Sequence, residues 1–227
     1  DFNQTVSFRL FDNFSIPKEY SFLPEISNVK SDVNKLKKFI INLDVTQTGI
    51  DELSYDLQGT NLNIYLTPKQ GVFTPDDLKF KTSEFAFDLI IIVGATDLDS
   101  LGKIYEHHRD FFYQVPVINI DNNPANEQYG HINLLDLTAT SSCEIIYNQI
   151  NTWEEQVMDK ELATCLLAGM ISATRSFKTS NVTPKALHIA SELIEAGAKR
   201  QEIVTNLFQT KTINTSHYCL TVIKYLL

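Results

Sequence analysis

The sequence predicts an α/β fold: a mostly parallel sheet flanked by helices, with an inserted antiparallel meander and a helical C-terminal part. Two almost wholly apolar runs carry this reading, FDLIIIVGA at 87–95 and VPVINID at 115–121. Strands covered on both faces read in this way. Between them LDSLGKIYEHHRDFF, 98–112, repeats apolar residues at helical spacing through Leu98, Leu101, Ile104, Tyr105, Phe111 and Phe112. Strand, helix, strand in that order implies a right-handed parallel crossover.

The elements follow in order. TVSFRLF, 5–11, and KKFIINLDV, 37–45, read as strands, and LNIYLTP closes a third at Pro68. Between Asn42 and Pro75 short alternating runs are separated by TQTG, LQGTN and PKQG. Such polar and glycine turns mark the antiparallel meander, placed at 42–75. From Thr138 the chain turns helical. TATSSCEIIYNQI has a Ser/Thr entry with Glu144 behind it, and Asp159 can cap KELATCLLAGMISAT. Thr183-Pro184 opens KALHIASELIEAG, which Gly197 closes, and KRQEIVTNLFQ follows. The run from Asn214 to Leu227 ends while still apolar, so this reading continues the natural chain into a partner or further domain. The opening DFNQTVSFRL lacks a Met, a basic start and a cleavage-site pattern. The expectation is a fragment or processed product with no signal peptide.

Composition bounds the function. Of 227 residues 43% are hydrophobic and 21% charged, which excludes a disordered chain. No apolar run approaches the roughly 18–20 residues that span a bilayer, so no membrane role is expected. Cys143, Cys165 and Cys219 are far apart, odd in number and set in apolar helical patterns. That favours buried thiols in a reducing, cytoplasmic compartment over a disulfide framework or a zinc site. From Lys160 onward eight Lys/Arg face four Glu, a net of +4, which leaves −13 for the remainder of a chain of net charge −9. The basic part is either a solvated helical surface or a phosphate site; the acidic body disfavours general adhesion to nucleic acid.

In open α/β sheets ligands bind beyond the carboxyl ends of strands. That singles out Gly94–Asp97, Asp121–Asn126 and the helix end GMISATRSF. DLIIIVGATD (88–97), VINIDNNPANEQYGHINLLDLTATSSCEIIY (117–147) and LLAGMISATRSFKTSNVTPKALHIASELIEAGA (166–198) resemble, in order and spacing, successive segments of the DHH phosphoesterase domain. That superfamily includes RecJ-type exonucleases, small oligoribonucleases, nucleotide phosphatases and manganese-dependent pyrophosphatases. The resemblance runs from about Phe85 to the C-terminus and does not include 42–75. It implies one DHH-like domain over 1–227, truncated at both ends, without the C-terminal substrate-binding domain of the family.

The resemblance also implies a two-metal site, usually manganese, held by Asp and His. This chain departs from it. Gly94 stands where an Asp follows the first buried strand. The name-giving Asp-His-His is Asp121, Asn122 and Asn123, and Ala173 precedes Thr174 where an Asp belongs. Asn126, Gly130, Ser142, Glu144, Gly169, Thr174 and Phe177 stand where the pattern puts them. Manganese wants hard anionic oxygen and imidazole, and of these positions Asp121 alone keeps a carboxylate. The expectation is a vestigial site at Gly94, Asp121, Asn122, Asn123 and Ala173, with no metal, cofactor or catalytic residue. Asp97 and Asp99 could substitute as ligands but read better as helix-capping acids. In EHHRD, 106–110, adjacent imidazoles point about 100° apart on a helix, which suits a solvated face. His131, His188 and His217 are isolated. Arg175 and Lys178, with Asn126, are the candidate phosphate-binding residues, because Arg matches phosphate oxygens bidentately; the alternative for Arg175 is an ion pair with a nearby acid.

Two functions remain. One is a catalytically inactive module that binds a nucleotide or phosphate, or that assembles through the C-terminal helix with a second copy or another domain. The other is a divergent manganese-dependent phosphoesterase acting on nucleotides or short oligonucleotides. It would take ligands from a preceding segment with help from Asp97, Asp99 or Asp136.

Overall fold

The computed structural model describes residues 16–29, 36–153 and 158–209, and they fall into two compact units. The run at 5–11, Cys219 and the C-terminal run from Asn214 lie outside the described residues.

Lys35–Ala86 forms one unit, wider than the 42–75 drawn from turn signals and compact in its own right within what the sequence reads as a single domain. Strand β1, Phe39–Leu43, pairs antiparallel with β4, Leu78–Thr82. Nested between them, β2 (Glu52–Gln58) and β3 (Asn61–Thr67) form an antiparallel hairpin closed at Gly59, whose φ is +63°. Hydrogen bonds from Asp44 N–H to Asp77 O, Gln70 N–H to Thr48 O and Asp51 N–H to Thr67 O tie the connecting segments. The result is a two-stranded ribbon made of two nested pairs rather than a meander of successive neighbours. KKFIINLDV is its first strand. Asp77 closes a capping box with Thr74 at the turn that leads into β4.

The other unit contains the α/β part. β5, Ile90–Val93, and β6, Val117–Asp121, pair in parallel, as the two apolar runs require. A third parallel strand, β7 at Ile132–Leu135, joins β6 on its other edge in the order β5-β6-β7. The helical run at 98–112 is not one helix. A 3₁₀ turn at Asp99–Leu101 leads into α1, Lys103–His107, and α2, Arg109–Gln114, with a break at His108 where φ is −132°. Leu101, Ile104, Tyr105, Phe111 and Phe112 are all buried, so the apolar spacing was read correctly while its continuity was not. His107 ends α1 exposed to solvent.

Then come α3 (Ser142–Trp153), α4 (Lys160–Ala173), α5 (Pro184–Glu195) and α6 (Arg200–Val204), the last running into a wider turn at Thr205–Gln209. The helix entries are those the sequence marks. Glu144 accepts from Thr140 N–H and Oγ1, both at 2.9 Å. Asp159 accepts from Leu162 N–H at 2.7 Å, and Thr183 Oγ1 from Ala186 N–H at 3.1 Å. Gly197, φ +97°, ends α5. Every residue of α4 from Leu162 to Ile171 is buried. A helix apolar on all sides must be central, and α3, α5 and α6 pack around it. The core joins Ile120 of β6 to Ile146, Leu166, Leu167, Met170, Ile189, Leu193 and Ile203. Each such side chain contributes about 1.5–3 kcal/mol when fully buried. Cys143 and Cys165 are buried within it. Among the described residues no helix is long and apolar enough to cross a membrane.

Candidate functional site

The carboxyl ends of β5 and β6 lie side by side, with Gly94 N–H donating to Ile120 O at 2.9 Å. Gly94 has φ +70°, a conformation side-chain-bearing residues rarely adopt. Asp121, 3% exposed, ends β6 beside it. The ten residues between β6 and β7 then fold back over these strand ends.

A buried amide network holds that loop. Asn119 Nδ2 donates to Asn126 Oδ1 at 2.7 Å and to Asn133 Oδ1 at 2.9 Å. Asn126 Nδ2 donates to Ala95 O and to Asp121 Oδ2, both at 2.9 Å, and its Oδ1 also accepts from Gln128 N–H. Asn133 exchanges two bonds with Gly130. A Cβ at Gly130 would sit 2.7 Å from Ile132 O and 2.8 Å from Asn119 Cβ, so the loop passes β6 too closely for any side chain. Tyr129 Oη donates to Ala95 O at 2.9 Å. Burial, and then the negative charges of Asp121 and Asp97, raise its phenol well above the usual range. Asn119, Tyr129 and Asn133 were not singled out from the sequence. The available signal was an amide in the middle of an apolar strand, which has to be satisfied where it is buried.

The other carboxylate lone pairs are used as well. Asp121 Oδ1 accepts from the N–H groups of Asn122 (2.8 Å) and Asn123 (3.2 Å). Asn122 Nδ2 donates to Ala139 O, and its Oδ1 accepts from Ser142 Oγ at the start of α3. Asn123 Oδ1 accepts from Ala125 N–H. The substitute ligands are occupied locally. Asp97 accepts from Ser100 N–H at 2.6 Å and from Thr96 Oγ1. Asp136 accepts from Thr138 N–H and Oγ1, and the Thr138 hydroxyl holds its carboxyl below the usual range. Among the described residues no three His, Cys, Asp or Glu side chains gather in a way that could hold a metal. This donor set does not fit the two-manganese centre that the family resemblance implies.

The structure therefore brings Gly94, Asp121, Asn122, Asn123 and Asn126 together. Asn126 does not suit the phosphate-binding role, because both hydrogens of its amide already meet protein oxygens. Ala173 ends α4, and Arg175 and Lys178 stand in the turn that follows it. Ala173 contributes an exposed methyl group. After Thr174 the chain makes a left-handed turn, with φ +48° at Arg175, +63° at Ser176 and +60° at Phe177. Its backbone N–H groups are committed: Ser176 to Ile171 O, Phe177 to Thr174 Oγ1, Lys178 and Thr179 to Thr174 O. An anion here would meet side chains rather than a backbone nest. Arg175 and Lys178 are both exposed.

No family model matches the chain. It is similar to the bifunctional oligoribonuclease and PAP phosphatase NrnA of Thermus thermophilus, 31% identical over 91 residues, which is 40% of this chain and 28% of that protein. The protein of the same name from Bacillus subtilis is 30% identical over 97 residues, 42% of this chain and 31% of the relative. The chain thus spans under a third of the length of these relatives. Among solved structures, an exopolyphosphatase-related protein from Bacteroides fragilis superimposes with a TM-score of 0.52 at 20% identity, over 56% of this chain and 37% of its own. That likeness shows the fold.

Proposed function

Given that the chain belongs to the DHH phosphoesterase superfamily, we propose that it is a member without metal-dependent catalysis, acting in the cytoplasm as a nucleotide- or phosphate-binding or assembly module. The observation that carries this reading is the state of Asp121. Its oxygens take hydrogen bonds from the backbone N–H groups of Asn122 and Asn123 and from the side-chain amide of Asn126, and among the described residues no three anionic or imidazole side chains gather as a metal centre would need. Amide side chains bond readily to nearby backbone, so such a loop closes without a cation. Arg175 and Lys178 are the residues to meet a phosphate, since both reach solvent at the end of α4 and Arg suits phosphate geometry.

The oligoribonuclease and PAP phosphatase activities of the two relatives favour a second reading, a divergent manganese-dependent phosphoesterase acting on nucleotides or short oligonucleotides. Its metal ligands would have to come from outside the described residues.

One experiment separates the two. The purified chain is assayed with manganese against short oligoribonucleotides, adenosine bisphosphate and pyrophosphate. Nucleotide binding is followed by calorimetry in the same samples. The proposal expects no turnover, and binding that weakens about tenfold or more when Arg175 and Lys178 are both replaced by Ala, given the strength of charge-assisted contacts. Turnover above about 1 s⁻¹ that disappears in Asp121→Ala would establish the enzyme reading. Absence of any nucleotide or phosphate binding would remove the ligand from the proposal and leave assembly.

A further inference from the structure

The ribbon unit sorts its side chains by face. In β2 and β3, Leu53 lies opposite Leu66, Tyr55 opposite Ile64 and Leu57 opposite Leu62. These six share one face, and it carries no charge. The other face holds Glu52, Ser54, Asp56 and Gln58 with their partners. On the apolar side exposure is 65% at Leu53, 76% at Tyr55, 71% at Leu57, 57% at Leu62 and 45% at Ile64. Among the described residues of this unit Leu36 alone is buried. A two-stranded ribbon is marginal in water unless something covers its apolar side.

We infer that this face is a two-fold interface, covered by the same face of a second copy of the chain. The inference is independent of whether the domain binds phosphate. Three observations choose the occupant. First, the pattern is self-complementary. Leucine pairs flank the central Tyr55–Ile64 pair at equal spacing, so a half-turn about that centre sets leucine against leucine, as an isologous interface requires. Second, charge permits it. Residues 35–86 hold six Lys and seven Asp/Glu, a net of −1, which leaves −8 of the −9 on the rest of the chain. Two copies that meet through this unit join where they repel least. Third, the area is adequate. The five exposed side chains offer on the order of 600 Å², taking ~150–250 Å² for a large side chain. That approaches the roughly 800 Å² per partner of a standard interface.

The test is the mass of the whole chain in solution by sedimentation equilibrium across a concentration series, at low and high salt. A dimer is expected whose Kd is unchanged or tighter at high salt, since its contact is apolar. Tyr55→Asp should raise that Kd on the order of 100-fold, because two-fold symmetry presents each substitution twice at a central position. Ser54→Asp, on the polar face, should leave it unchanged, and circular dichroism checks that both variants fold. As a second measurement, Tyr55→Cys should crosslink between chains with a short bifunctional thiol reagent, and Ser54→Cys should not. A monomer at every concentration would overturn the inference. So would a dimer that survives Tyr55→Asp, whatever the outcome of the nucleotide assays.

Discussion

Asn126 shows how a single residue can be legible in type and hidden in role. In the sequence it is an amide in a polar loop after a buried strand, open to a ligand. In the structure it is 9% exposed and bonds Asn119, Asp121, Ala95 and Gln128 at once. No local pattern could reveal this, because Ala95 and Asn119 reach it through the parallel pairing of β5 and β6. Replacing Asn126 by Ala strands several buried groups, each costing about 1–3 kcal/mol. We expect a loss of about 3 kcal/mol or more, read as a lower denaturant midpoint with an unchanged slope. Tyr129 makes a prediction in pH. Its phenol is held neutral by burial and by nearby carboxylates, so its folded-state pKa lies above the unfolded value of about 10. Its contribution is therefore complete below that value and is lost as pH rises beyond it. Unfolding curves should show wild-type stability falling more steeply than that of Tyr129→Phe above about pH 10, while at neutral pH the variant lacks only the bond to Ala95.

At the scale of elements, strands β5 and β6 and the entries of α3, α4 and α5 were legible because they depend on local signals: continuous apolar runs, caps, a proline at a first turn. β7 was not, since four residues behind a glycine do not make a pattern. The break at His108 was missed because the buried aromatic and aliphatic side chains on both sides of it keep helical spacing. The nesting of β1–β4 around β2–β3 depends on pairing across forty residues and on turns that alternation alone does not distinguish. The turn after α4 belongs here too. Three successive side-chain-bearing residues at positive φ cost roughly 1–2 kcal/mol each, and only glycine escapes that cost. Arg175→Gly should therefore raise stability by about 1 kcal/mol while weakening nucleotide binding. If stability falls instead, Arg175 holds the turn and is not kept there for a ligand.

For the whole molecule, the core and the strand-end loop are held by different interactions. The core around α4 is built from apolar side chains and needs no metal to form. At the strand ends the side-chain amides of Asn119, Asn126 and Asn133 close the loop. The sequence offers the candidate site only as a set of departures from the pattern it resembles, at Gly94, Asn122, Asn123 and Ala173. What Asn122 and Asn123 bond was not legible, because their hydrogen bonds with Ala139, Ala125 and Ser142 form only once the loop is folded.

Manganese titration of the unmodified chain by calorimetry, beside the combined variant Gly94→Asp, Asn122→His, Asn123→His and Ala173→Asp, tests the central claim most directly. The account predicts no saturable micromolar uptake by the natural chain. It predicts measurable affinity in the variant, together with lower metal-free stability from added like charge and from a side chain at φ +70° at position 94. Micromolar manganese binding by the unmodified protein, abolished by Asp121→Ala, would contradict it.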